Sequence, residues 1–304
     1  SAASDVYKRQ VMSFDYFRNT TKDQLMTIPL PASTGSEDIV VNFGENQNVG
    51  YDFSVAGQVI RNKNWAWTSV INGSHVKDRI KQISDKLKNT AYQLEEDNPL
   101  KLRFREGGSQ YDIYAVRSAG IDPATGQEIF INKNGEYTFK YDAEDEVVVG
   151  NTQPKLQGTW LNTLRYKGWS LNFVFSYTFG GDTYNKTLWE KVEDIDPRYN
   201  VDERAFTDRW KNPGDLSRYL AIKERRSTTP HNSERFVERL NELWLSSATL
   251  TYEFQPKFLK RLGFKRLAVG VGVSDIVRFS TVKYERGTSY PYCRTINLTF
   301  RPTF

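Results

Sequence analysis

The stretch Gly158–Gly181, GTWLNTLRYKGWSLNFVFSYTFGG, decides the fold of this chain. From Trp169 onward every second residue is large and apolar, and the residues between them are small or polar apart from one valine. Because successive side chains of a strand point to opposite faces, one face of this strand is apolar and the other is polar. The apolar positions are Trp169, Leu171, Phe173, Phe175, Tyr177 and Phe179.

The length of this strand matches the thickness of a membrane. Eleven residues at ~3.3 Å each reach about 35 Å, and a tilt of about 40° reduces the height to about 25 Å, the apolar band of a transmembrane β-barrel. Trp169 at one end and the Tyr177/Phe179 pair at the other lie where interfacial aromatic residues belong. A soluble β-sandwich is the alternative, although its strands usually run only about five or six residues. Repetition along the chain has to decide between them.

The same alternation recurs throughout the sequence. Strands alternating in this way, with short turns such as Arg61–Asn64 and long connections between them, are typical of hairpins in an outer-membrane barrel. A polar turn at Asn19–Lys22 is expected to separate the first two strands. The predicted strands are Val11–Arg18, Asp23–Pro29, Tyr51–Val59, Trp65–Ile71, Gln110–Arg117, Trp244–Phe254, Leu267–Ser274 and Thr295–Phe300, together with the two in Gly158–Gly181.

Two regions depart from the alternation. Residues 76–89 carry apolar residues at helical spacing, which predicts a surface helix. Residues 119–157 contain turn signals at Asp122–Gly126 and Asn132–Gly135, and the number of strands there stays open. The acidic cluster at Asp142–Glu146 lacks the spacing of a calcium loop and is expected to be a solvated turn.

Composition permits a barrel and excludes several other classes. Aromatic residues make up 14% of the 304 residues, yet the mean hydropathy is only −0.63, and no apolar run is long enough for a transmembrane helix. One cysteine and two histidines predict neither a disulfide framework nor a histidine-rich metal site, and no cofactor motif occurs. The formal net charge is +5, and the basic residues form no stripe interleaved with aromatic residues of the kind that binds nucleic acid.

A connection of about 60 residues, Gly181–Leu243, is longer than compact soluble domains usually tolerate. It fits an extracellular loop of a barrel, and its aromatic residues Trp189, Tyr199 and Trp210 are candidates for substrate contact. The alternative is that each belongs to the loop's own small core. Asp194 and Asp196 resemble a glycosidase pair only in composition, since acid–base work needs carboxylates placed across a cleft, so no enzyme is predicted.

The order of several motifs resembles the C-terminal part of the SusC/RagA-type TonB-linked outer-membrane transporters of Bacteroidetes-like bacteria. The resemblance spans residues 11–304, and its one departure is the extra Arg301–Phe304 after the last strand. The motifs are FDYF at Phe14–Phe17, TKDQLM at Thr21–Met26, PLPASTG at Pro29–Gly35, GENQNVGY at Gly44–Tyr51, AGIDPATG at Ala119–Gly126, GNTQP at Gly150–Pro154, NTLRYKGWSL at Asn162–Leu171, FGGDTYN at Phe179–Asn185, RWKNPGD at Arg209–Asp215 and TINLTF at Thr295–Phe300.

The resemblance implies an all-β fold, an antiparallel transmembrane β-barrel of 22 strands with a plug. This chain would supply its C-terminal half, about ten or eleven strands, and long extracellular loops. It further implies import of oligosaccharides or peptides across the cell outer membrane, powered by a TonB complex and assisted by a SusD-like surface lipoprotein. Residues 1–10 carry no strand or helix pattern and resemble a non-native junction, and we expect the native chain to begin upstream of Val11. A soluble all-β carbohydrate-binding module is the alternative function.

Overall fold

The computed structural model describes residues 2–4, 9–29, 38–84, 105–195, 198, 200–222, 232–254, 264–283 and 294–303. Within them, no helix is long and apolar enough to cross a membrane. Short helical segments lie in the connections: Ala143–Asp145, Lys186–Leu188, Trp189–Glu193, Arg204–Thr207 and Glu234–Phe236. The strands are β1 (Ala2–Ser4), β2 (Gln10–Pro29), β3 (Asp38–Arg61), β4 (Trp65–Ile83), β5 (Asp112–Ile121), β6 (Glu128–Ile131), β7 (Tyr137–Thr138), β8 (Glu146–Asn151), β9 (Leu156–Tyr166), β10 (Trp169–Tyr184), β11 (Val237–Glu253), β12 (Arg266–Ser280) and β13 (Ile296–Thr303).

Nine of these strands form one antiparallel sheet, here called the wall, in the order β1-β2-β3-β4-β9-β10-β11-β12-β13. Strand β4 pairs directly with β9, so the segment between them leaves the wall. That segment builds a separate four-stranded sheet in the order β7-β6-β5-β8. The all-β prediction is confirmed. The described wall has nine strands rather than ten or eleven, because the first two predicted strands are one strand, β2, and the predicted strand Gln110–Arg117 belongs to the second sheet, while β1 adds one strand that was not predicted.

Strand registers carry the apolar face of β10 across the wall. Phe175 lies between Trp160 and Leu245, and its ring stacks on Trp160 with centroids 5.5 Å apart. Because pairing preserves the face, adjoining positions keep the same polarity from strand to strand. The apolar row at this level is Ile71, Trp160, Phe175, Leu245 and Val277, and the row on the opposite face is Asn72, Thr159, Ser176, Trp244 and Arg278.

Within the described residues, many side chains of the apolar face stay accessible. Leu250 and Val271 on this face keep 42% and 43% of their surface accessible, and Leu298 keeps 82%. A soluble β-sandwich would bury such side chains against a second sheet, whereas a membrane wall turns them toward hydrocarbon. The described wall therefore fits lipid contact and lacks the covering layer that the sandwich alternative requires.

Aromatic rows mark the two edges of the apolar band. At the end with tight turns, Trp65 contacts Tyr166 at 4.4 Å and Trp169 contacts Tyr252 at 4.7 Å between ring centroids. At the other end, Tyr177 stacks on Phe179 at 5.7 Å. These rows are the predicted interfacial girdles.

Two glycines allow aromatic rings to lie flat on the wall. A Cβ added to Gly158 would come within 2.0 Å of the Asn72 carbonyl oxygen and 2.6 Å of the Tyr177 hydroxyl. A Cβ added to Gly73 would come within 2.3 Å of the Phe53 ring. Tyr177 crosses this bare surface and donates a hydrogen bond to Asn72 O at 2.8 Å. Its ring thus closes the gap that the glycines leave between β4 and β9.

Strands β2 to β4 extend far beyond the apolar band. The 24 residues of β3 reach about 79 Å, or about 60 Å in height at a tilt of about 40°, more than twice the band. The predicted helix over residues 76–89 is wrong for residues 76–83, which continue β4; residues 85–89 lie outside the described part of the chain. Alternation persists there, because Asp78 and Ile80 are buried while Lys77, Arg79 and Lys81 are exposed.

Three further expectations differ from the structure. The predicted turn at Asn19–Lys22 is wrong, because β2 runs continuously through it and absorbs the polar residues in an irregularity where Asp23 has a φ of 51°. Residues 1–10 were expected to lack strand structure, yet Ala2–Ser4 pair with β2. Arg301–Thr303 continue β13, where Pro302 pairs with Leu267. Whether residues 1–10 are a non-native junction stays a prediction.

Candidate functional site

The long connections leave the wall at the end opposite the tight turns, and two of them fold together. We call the described residues of 105–155 and 185–236 the loop cluster. Val116 N–H donates to the Asn232 carbonyl at 2.9 Å, and Ala221 N–H donates to the Gly126 carbonyl at 3.0 Å. The two connections therefore form one body at this end of the wall.

The loop cluster has an apolar core of its own. The core includes Leu188 and Val192 from the helical segments after β10, together with Phe236 just before β11. Trp189 packs against it from the side. Burial of this core stabilises a fixed loop conformation that does not depend on lipid. Its other buried members are Ile195, Ala205 and Tyr219.

A buried ion network connects the two halves of the cluster. The Arg235 guanidinium donates to Glu128 at 2.9 Å and to Glu193 at 2.8 Å, and the Ser233 hydroxyl also donates to Glu128. Both carboxylate side chains are almost fully buried. Burial alone would lower the pKa of Arg235, but the two facing carboxylates hold that pKa above its usual range. Arg235 therefore stays charged and joins β6 to the segment after β10.

A second buried arginine ties the loop backbone together. Arg209 donates to four carbonyl oxygens, those of Ala205 at 2.8 Å, Leu220 at 2.9 Å, Val192 at 2.6 Å and Glu193 at 2.7 Å. Burial lowers the pKa of Arg209, and the nearby Glu193 opposes that shift. These bonds satisfy carbonyl groups that helix and sheet ladders leave free.

Of the three predicted substrate-contact residues, the structure buries Trp210 and packs Trp189 against the core. Trp210 is only 7% exposed, and its indole N–H donates to the Pro123 carbonyl at 2.8 Å. It covers Gly126, which has a φ of +76°. A Cβ added at Gly126 would come within 2.5 Å of the Trp210 ring, so this turn requires glycine. Trp189 packs against the core, and Tyr199 lies outside the described residues. Substrate contact by these residues stays a prediction, while the alternative of a loop core describes Trp189 and Trp210 well.

Of the cavities that open from the described surface, three bear on the site, and the sequence alone indicated none of them. The first, of about 300 Å³, lies beside Trp210 between Phe206 and Ile222. The second, of about 310 Å³, lies on the polar face of strands β2, β3, β4 and β9, where Asp15 of β2 pairs with Asp52 of β3. The third, of about 480 Å³, lies at the outer end of β12 and is lined by Arg278, Lys283 and Arg294 among others. The second brings together residues from four strands that are distant in sequence. Among the described side chains, no group of three or more His, Cys, Asp or Glu could hold a metal ion.

The fold and the cluster together define a class of protein. An uncovered apolar face, aromatic rows at its edges and long folded loops at one end are the features of an outer-membrane β-barrel wall. No family model matches the chain. Solved structures of the RagAB peptide transporter match in fold, with a TM-score of 0.75 at 20% identity over 92% of this chain and 31% of that one.

Sequence relatives agree with the class. TonB-dependent receptor P39 of Formosa agariphila is 25% identical over 90% of this chain and 30% of its own length. TonB-dependent receptor P3 of the same organism is 26% identical over 90% of this chain and 28% of its own length. The chain thus spans less than a third of these two relatives. The resemblance to SusC/RagA-type TonB-linked transporters is confirmed.

Proposed function

We propose that this chain forms part of the wall and outer loops of a TonB-dependent importer of oligosaccharides or peptides in the cell outer membrane. The uncovered apolar face, continuous through strand registers from β2 to β13, carries this proposal. The relatives named TonB-dependent receptors support it, as does the fold shared with the RagAB peptide transporter. The segment itself supplies no chemistry; it encloses a path and presents loops at its mouth.

The partners follow from the same proposal. An energised importer needs a TonB complex, which would contact parts of the protein beyond this chain. A SusD-like surface lipoprotein would meet the loop cluster, since that cluster is a folded body at the end of the wall opposite the tight turns. Outer-membrane lipid would contact the apolar face of the wall.

A paired substitution tests the lipid-facing assignment. Phe175 and Ser176 are neighbours near the middle of the band, on the apolar and polar faces respectively. Arginine on the lipid face near the midplane costs about 2–4 kcal/mol, whereas a water-filled interior tolerates it. With the protein expressed from its full reading frame, Phe175→Arg should reduce the folded, heat-modifiable species in outer-membrane fractions, and Ser176→Arg should not.

The result also separates the proposed function from the soluble alternative. In a water-soluble domain, Phe175→Arg would unfold the domain. The wild-type protein would then be found in the soluble fraction and not with membranes. Equal assembly of both variants would contradict the lipid-facing assignment. Import itself is tested by growth on candidate oligosaccharides or peptides, which should be lost when the cell's TonB is deleted.

A further inference from the structure

A basic pocket lies at the outer end of β12, on the polar face of the wall. Its volume is about 480 Å³, within the range of small-ligand sites, and its lining includes Arg278, Ser280, Lys283 and Arg294. Arg278 pairs in register with Trp244, which pairs with Ser176 of the polar face. The next residue, Phe279, points to the apolar face and aligns with Leu243 and Tyr177 of the outer aromatic edge. Arg278 of the pocket therefore lies on the polar face, at the level of the outer aromatic edge, and Val277 of the apolar row also contributes to the lining.

One cation of the pocket is held rigidly. The Arg278 guanidinium lies 4.4 Å above the Trp244 ring and 3.2 Å from the Glu242 carboxylate. The Ser280 hydroxyl accepts from Val282 N–H at 3.2 Å and keeps its own proton to donate. A fixed guanidinium beside a free hydroxyl donor is a preorganised partner for an oxyanion.

The other two cations stand at the two stems of the connection between β12 and β13. Lys283 and Arg294 are exposed, and neither forms an ion pair with a carboxylate of the described residues. Lys283 acts at longer range on Asp202, whose carboxylate is already bound by Arg204 at 2.7 Å. The described charges around this pocket are the cations Arg204, Arg239, Arg278, Lys283 and Arg294 and the carboxylates Asp182, Asp202, Glu242 and Asp275. Among these described side chains positive charge is in excess, and Lys283 and Arg294 carry it.

We infer that this pocket binds an oxyanion group, a carboxylate or a sulfate ester, of the imported molecule. The inference rests on the proposed function, because only in an importer does the polar face line the path of a substrate. Low-dielectric walls around a cleft of one charge sign strengthen the attraction and raise the local concentration of an oppositely charged ligand. The pocket recognises a negatively charged group on the substrate, and either a sugar or a peptide can carry that group.

Binding measurements on the detergent-purified protein, expressed from its full reading frame, test the inference. The probes are trigalacturonate, its neutral methyl ester, a sulfated disaccharide and acetylated triglutamate, titrated by calorimetry at low and high salt. We expect at least one anionic probe to bind about tenfold or more tightly than the neutral ester, with the preference weakening as salt rises. Which anionic probe binds identifies the carrier of the charge.

Variants locate the effect. Lys283→Gln combined with Arg294→Gln should abolish the preference, while Lys283→Arg combined with Arg294→Lys should keep it. The matched control combines Arg165→Gln with Arg301→Gln, which removes two exposed cations from the same polar face at its tight-turn end. This control pair should keep the preference. Heat-modifiable migration checks that every variant is folded.

Several outcomes would overturn the inference while leaving the proposed function intact. A folded, outer-membrane protein that binds the neutral ester as tightly as every anionic probe, or binds none of them, has no such site. Equal losses in the pocket pair and the control pair would show a general charge effect instead. Failure of the wild-type protein to enter the outer membrane would contradict the proposed function itself.

Discussion

Replacing Arg235 by methionine should loosen the loop cluster without disturbing the wall. Arg235 is the only described cation bonded to Glu128 and Glu193, and both carboxylate side chains are at most 3% exposed. Methionine keeps much of the volume and removes the charge. Two buried carboxylates would then lose the guanidinium that joins β6 to the segment after β10 in the described part of the chain.

The expected magnitude follows from that burial. Removing one partner of a buried ion pair typically destabilises by about 3–5 kcal/mol, because an uncompensated charge stays behind. A loss of that size corresponds to about a hundredfold to several thousandfold more frequent local opening. Replacing Glu128 and Glu193 by glutamine in the same chain should recover part of the loss, since the stranded charges are then absent.

Hydrogen exchange measured by mass spectrometry on the protein in detergent gives the local opening directly. The amide of Val116, bonded to Asn232 across the cluster, should lose protection in Arg235→Met. Amides in the middle of β10 should exchange as in the wild type. Arg239→Met is the matched control, because Arg239 makes a half-exposed ion pair with Asp182 worth at most about 1 kcal/mol.

The reasoning would be refuted if Arg235→Met and Arg239→Met lost equal protection at Val116. It would also be refuted if the triple variant were less protected than Arg235→Met alone. The first result would mean that the buried pairing contributes no more than a surface pair. The second would mean that stranded charge is not the source of the loss.

Further predictions concern packing and pH. Gly158→Ala should prevent accumulation of the folded, heat-modifiable barrel, because its Cβ would come within 2.0 Å of a backbone oxygen, while Gly57→Ala, with nothing nearer than 3.9 Å, should assemble normally. Trp210→Ala should destabilise the loop cluster by about 3–5 kcal/mol, seen as faster proteolysis of its loops, and unchanged proteolysis would show that Trp210 does not support the core. The Arg204 hydrogen bond lowers the pKa of Asp202 to about 2 from 3.8, so its stabilising effect is present above 3.8 and lost as pH falls toward 2. Asp202→Asn should remove that pH dependence of amide protection at Arg204, and an unchanged profile would assign it to another group.

The wall could be predicted from the sequence because its pattern is local. Alternation in Trp169–Phe179 reports which side of β10 is apolar without knowledge of any partner strand. The same holds for β12, where valines alternate with glycines and an alanine. Strand pairing then only aligns the apolar faces that each strand's own sequence defines. The apolar face of the wall and both aromatic edges could therefore be predicted from one sequence.

The outer half of β4 could not be predicted in the same way. Alternation continues there, but the buried positions include a charged residue type, Asp78, which is rarely buried without a partner. Its carboxylate accepts hydrogen bonds from the Ser109 hydroxyl and from Gln110 N–H, on a connection that returns from far along the chain. Among the described residues, that connection supplies the donors for the buried Asp78 carboxylate. The apolar residues left over, Ile80 and Ile83 among them, then fit a helical spacing by coincidence.

The loop cluster and the wall solve the burial problem in opposite ways, so their stabilities should be separable. In the wall, large side chains such as Phe175 and Leu298 point outward and gain their stabilisation from hydrocarbon, and backbone pairing between strands satisfies the polar groups. In the loop cluster, water is outside, apolar side chains such as Phe236 point inward, and Arg209 and Arg235 satisfy groups that no strand ladder reaches. A change of lipid or detergent acts on the first body, and loss of a buried charge acts on the second. Phe175→Arg should therefore impair assembly without altering protection inside loops that have folded, and Arg235→Met should do the reverse; loss of protection in both bodies from either substitution would show that they fold as a single cooperative unit.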